Sequence, residues 1–117
     1  MPKLSATDTA QQHLAERVRA VLGPDPRLTE RYMFGSLAIL LNGHILAGLR
    51  KDGSMMLSIG KEGNDAALQH SGVTQVVMRG RSMKGFVQVD ADAAEADDAL
   101  RFWLGTAERH VSTLPPK

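Results

Sequence analysis

Two dipeptides, Asn42-Gly43 and Asp52-Gly53, cut a long apolar stretch into strand-length pieces. Both pairs tolerate the positive φ angles that tight hairpin turns require. The pieces they bound, residues 31–41, 44–50 and 54–59, therefore read as three strands of an antiparallel meander. Gly35 sits inside the first piece and is expected to mark a bulge or bend. Leu37, Ala38, Ile39, Leu40 and Leu41 are apolar at five successive positions, so both faces of that strand call for cover. Helices are expected on one face and a second copy of the chain on the other, which makes a homodimer the expected state.

The flanking segments supply the helices. Ala10, Leu14, Val18, Val21 and Leu22 recur at helical spacing over 7–22, with Gln11, Glu16, Arg17 and Arg19 elsewhere around the axis. Gly23-Pro24 stops that helix. A short helix is predicted over 61–69, and two more strands over 73–79 and 85–90, joined by a loop at 80–84. In the last helix Asp92 and Glu95 have the spacing of a capping box. Ala96, Ala99, Leu100, Trp103, Leu104, Ala107 and Val111 line one of its faces. The order α-β-β-β-α-β-β-α with short connections predicts an α+β, two-layer domain: a five-stranded antiparallel sheet with helices on one face. Residues 1–117 read as one domain with an ordered core at about 7–113.

Composition narrows the chemistry. The chain has 117 residues and no cysteine, which excludes disulfides, thiolate metal sites and a cysteine nucleophile. Fourteen Lys and Arg against thirteen Asp and Glu give a formal charge of +1, too little to hold nucleic acid mainly by phosphate neutralisation. No apolar run approaches the roughly 18 residues that span a bilayer, and no secretory leader is visible, so a cytoplasmic location without membrane contact is expected. His13, His44, His70 and His110 lie on separate predicted elements, and solvent contact or a local hydrogen bond is the default for each. Asp92, Glu95, Asp97 and Asp98 suit the positive end of a helix dipole. The glycines around Lys84 lack phosphate-loop spacing. No catalytic residue, metal or cofactor is predicted.

Two features remain. Arg31, Tyr32, Met33, Phe34 and Gly35 precede the apolar strand. Arg79, Arg81 and Lys84 place three positive charges beside Met83, Gly85 and Phe86 with no acid among them. Such bases can meet phosphate or an acidic partner, or lie as a solvated hairpin over apolar surface. Met55, Met56, Met78 and Met83 are read as core or subunit-interface packing.

At these residues the chain resembles the N-terminal domain of the TfoX/Sxy family of bacterial competence regulators. The pattern R-x-M-F-G-G falls on Arg31, Met33, Phe34 and Gly35, with Ser36 in place of the second glycine. The pattern G-x-x-M-K-G-aromatic falls on Gly80, Met83, Lys84, Gly85 and Phe86. Similarity extends from about residue 10 to the Leu114-Pro115-Pro116 ending. The resemblance implies a five-stranded α+β fold arranged like type III secretion chaperones. It also implies a coactivator role with the cyclic-AMP receptor protein at competence-gene promoters. Full-length members carry a second, helical domain, expected to be absent because the chain stops at Lys117. The family supplies no catalytic residues.

The expectation is thus a non-enzymatic regulatory or interaction module that contacts another protein, such as a transcription regulator. Its contacts are placed at Arg31, Met33, Phe34, Gly35, Arg79, Arg81, Met83, Lys84, Gly85 and Phe86. The same glycines and apolar residues have a structural reading, as backbone geometry and packing. Direct nucleic-acid binding is the second reading. A ligand-binding protein or enzyme with a pocket at a dimer seam, where His44 meets Arg31 or Arg50, is the third.

Overall fold

Tight turns set the topology. The structure, a computed structural model, describes residues 6–33 and 35–116. Helix α1 (Ala6–Leu22) leads into strands β1 (Leu28–Met33), β2 (Ser36–Leu41), β3 (His44–Leu49) and β4 (Met55–Ser58). Helix α2 (Lys61–Leu68), strands β5 (Val73–Met78) and β6 (Arg81–Val89), a 3-10 turn (Asp92–Ala94) and helix α3 (Asp97–Val111) follow. The strands form one sheet in the order β1-β2-β3-β4-β6-β5, and all neighbours run antiparallel.

The sheet has six strands, not five. Met33 pairs with Ser36, and the chain reverses between them with Gly35 at φ +76°. Gly35 therefore closes a hairpin instead of bending one long strand, and residues 28–33 become an edge strand of their own. Phe34 lies outside the described residues. Asn42 (φ +53°) and Gly43 (φ +86°) form the expected two-residue turn. The loop expected at 80–84 contracts to a turn at Arg79 (φ +54°) and Gly80 (φ +77°), and residues 81–84 belong to β6.

Alternation along the strands separates two faces. Leu37, Ile39, Leu41, Leu49, Met55, Leu57, Val73, Val87 and Val89 enter one buried cluster. Leu14 and Val18 of α1, Ala67 of α2, and Leu100, Trp103, Leu104, Ala107 and Val111 of α3 complete it. Each fully buried leucine contributes about 2 kcal/mol by removal of apolar surface from water. One extra residue in β3, opposite Ile39 and Leu40, lets Leu46 join Ala47 on this side.

Gln11 is buried in the α1 interface, where its Nε2 donates to the carbonyls of Leu49 (2.8 Å) and Gly35 (3.3 Å). One local expectation changes. The capping box at Asp92 and Glu95 does not form. Asp92 opens the 3-10 turn, and α3 starts after Ala96, which makes no side-chain cap.

Candidate interaction surface

The alternate strand positions look away from the helices. Met33, Ala38, Leu40, Ile45, Gly48, Met56 and Phe86 occupy them by register, and none belongs to the core cluster. Leu40, Ile45, Met56 and Phe86 are half-buried around the buried Ala38 and Gly48, so this outer face has an apolar centre, and the described helices contribute their core residues to the opposite face. Arg31, paired with Ala38, stands on the β1 side, and Lys84 precedes Phe86 on the β6 side. Arg50 follows β3 and donates to Gln88 Oε1 at 3.0 Å. The six strands contain a single acid, Glu30, and it lies on the opposite face. There Arg19 of α1 grips both its oxygens (2.6 and 2.8 Å), and that hydrogen-bonded pairing holds its carboxyl below the ordinary value.

The second motif is built around an irregularity. Gln75 pairs with Val87 but Val77 pairs with Ser82, so residues 83–86 of β6 bulge away from β5, while Phe86 keeps its pairing with Ser58 of β4. Gly85 turns there at φ +97°, and a Cβ on it would lie 3.3 Å from the backbone of Gly60 and Lys61. Two amides hold the bulge. Gln75 Nε2 donates to the carbonyls of Met83 (2.9 Å) and Phe86 (3.0 Å). Asn64 of α2, 1% exposed, donates to Gln75 Oε1 (2.8 Å) and accepts the Gly85 N–H (2.8 Å). The Gly85 carbonyl accepts from Ile59 N at 2.8 Å and from Gly60 N at 3.3 Å. Beyond the bulge, residues 77–82 form an exposed hairpin tip with Val77 and Met78 in water beside Arg79 and Arg81. Arg79, Arg81 and Lys84 make no ion pair among the described residues.

Strand β4 is short, and where it ends a cleft of about 440 Å³ opens between the start of β3 and the bulge. His44, Ile45, Lys61, Lys84, Phe86 and His110 are among its walls. His44 Nε2 donates to the carbonyl of Pro115 at 2.6 Å, tying the segment after α3 to β3. Arg31 and Arg50 do not line this cleft. His70 packs against Trp103 and Phe102, with ring centroids 5.1 and 5.6 Å away. Among the described residues no three His, Asp or Glu side chains gather as a metal site.

The contact residues named from sequence fall into separate groups. Met33 and Phe86 lie on the outer face, and Arg31 and Lys84 stand beside them. Gly35 and Gly85 shape backbone, and Met83 is half-buried with its carbonyl held by Gln75. Arg79 and Arg81 stand at the hairpin tip. The two motifs do not adjoin: β1 and β6 are four strand spacings apart, about 19 Å, and their turns lie at opposite ends of the sheet. Asn64 and Gln75 carry no mark in the sequence, because amides give no periodic or spacing signal for a hydrogen bond that tertiary packing creates.

A helix layer on one side of an antiparallel sheet, with a clamped bulge at one corner, defines a small α+β domain. The chain belongs to the TfoX N-terminal domain family, whose family model matches residues 20–111. No curated protein and no solved structure shows significant similarity to it. No described helix is long and apolar enough to cross a membrane.

Proposed function

We propose that this TfoX N-terminal domain is a non-enzymatic regulatory module of the cytoplasm that works by docking another protein on its outer sheet face. The observation that supports this reading is the half-buried apolar centre formed by Leu40, Ile45, Met56 and Phe86 on the face opposite the described helices. A sheet face of that kind is ordinarily covered, and an apolar patch bordered by polar groups is characteristic of contact surfaces. The family resemblance adds the kind of partner, a transcription regulator.

The test is affinity capture from the native host with the wild-type chain and with Ile45→Asp. Wild type should retain a discrete partner that the variant loses, while both melt within a few degrees of each other. Equal capture by the two proteins would refute the assignment to this face. Nucleic-acid binding is favoured by Arg79, Arg81 and Lys84, which make no ion pair among the described residues. It predicts binding of a DNA fragment that collapses as salt rises, which an apolar protein interface would not show.

A further inference from the structure

The outer face is lopsided in charge, and that asymmetry selects among occupants. Inside the six strands the acids number one, Glu30, and it is turned to the helices and bound by Arg19. Among the described residues the cations on or beside the outer face, Arg31, Arg50 and Lys84, make no ion pair, and Asp52 is near enough to Arg50 for that charge to add to the Ser54 hydrogen bonds in lowering the Asp52 carboxyl. The chain as a whole is nearly balanced at +1, so the acids have been placed elsewhere.

We infer that this face receives an acidic amphipathic helix of about three to four turns. The inference rests on the reading that the face docks protein. The helix's apolar stripe would lie on Leu40, Ile45, Met56 and Phe86, and its carboxylates would reach Arg31, Arg50 and Lys84. The span from β1 to β6 is four strand spacings, about 19 Å, which matches about 13 helical residues at 1.5 Å each. A second copy of this chain is the other candidate occupant. Stacking two such faces brings one set of cations toward the other with no acid from the strands between them, and like charges at an interface oppose association. The charge pattern therefore favours a partner of opposite sign over self-association.

Two synthetic amphipathic peptides test this, sharing one Leu/Ile stripe and carrying either Glu or Lys at every flanking position. Each is titrated into the isotope-labelled full chain, followed by NMR shifts and fluorescence anisotropy at about 50 and about 300 mM salt. Sedimentation velocity reports the oligomeric state of the chain alone. The acidic peptide should bind about tenfold more tightly than its basic twin, the amount expected from two or three partly exposed ion pairs. Shifts should centre on Leu40, Ile45, Met56 and Phe86, and the chain alone should sediment as a monomer. Arg31→Glu with Lys84→Glu should reverse the preference toward the basic peptide, a readout that loss of folding cannot imitate.

Equal affinity for the two peptides would overturn the charge selection while leaving the docking face standing. Failure of both peptides with a sedimenting dimer would hand the face to a second copy. Failure of both with a monomer would overturn the inference as well. Shifts confined to other parts of the chain would remove both the inference and the docking reading, and a DNA fragment shifting the same residues would assign the face to nucleic acid.

Discussion

Asn64→Ala should be among the most destabilising substitutions in this protein that touch no large apolar side chain. The amide is 1% exposed and joins α2 to both strands of the β5–β6 hairpin. Its removal strands the Gly85 N–H, whose bond to Asn64 Oδ1 is 2.8 Å long in a buried setting. An orphaned buried donor costs about 1–3 kcal/mol, and the lost exchange with Gln75 adds about 1 kcal/mol. The expected loss is thus about 3 kcal/mol, or roughly 12 °C in Tm for a chain of this length. Urea unfolding at neutral pH measures it, with an unchanged m-value showing that the folded and unfolded states keep their exposure. Gln75→Ala supplies the second arm of a cycle. Because the two amides bond each other at 2.8 and 3.2 Å, the double variant should lose about 1 kcal/mol less than the sum of the singles. A loss below about 1 kcal/mol for Asn64→Ala, or additive singles, would refute the clamp.

Two further outcomes follow from the geometry. Gly60→Ala puts a side chain at φ +86°, with its Cβ 2.7 Å from Nδ1 of His110, and should cost about 2–3 kcal/mol in thermal melts. Adding His110→Ala should recover part of that loss, and a neutral Gly60→Ala would contradict the close packing. Asp52 Oδ1 accepts from both the backbone and the hydroxyl of Ser54 (2.9 and 2.6 Å), and these bonds hold its carboxyl below the ordinary value. A depressed folded-state value means that this stabilisation is present above the unfolded value, about 3.9, and disappears as pH falls through the lower folded one. Urea midpoints between about pH 5 and pH 2 should fall less steeply for Asp52→Asn, which keeps the carbonyl acceptor but cannot titrate. Parallel curves for the two proteins would count against the role of that turn.

The helices and the central meander were legible because their signals are local. Leu100, Trp103, Leu104, Ala107 and Val111 declare one face of α3 by spacing alone, and all five are buried there. Asn42-Gly43 declares its turn by backbone tolerance. The β1–β2 reversal was hidden because the sequence through Gly35 is continuous in strand character, which turned two strands into one. Arg79 concealed the β5–β6 turn: arginine rarely takes the left-handed conformation, and nothing in its neighbours announces that it does so here. The surface was half visible. Register places Arg31, Met33 and Phe86 on one face, whereas the bulge that sets Lys84 at its border depends on Asn64, and no local pattern links positions 64 and 85.

The bulge also governs what happens at the rim of the sheet. Strand β5 is an outermost strand, and Val73–Met78 contains no charge and no proline, the composition that invites end-to-end growth of sheets between molecules. The break in pairing between Gln75 and Val77 interrupts the straight template that an incoming chain would need. If the amide pair that shapes the hairpin is lost, a straighter border strand is expected, and with it a greater tendency to join sheets between molecules.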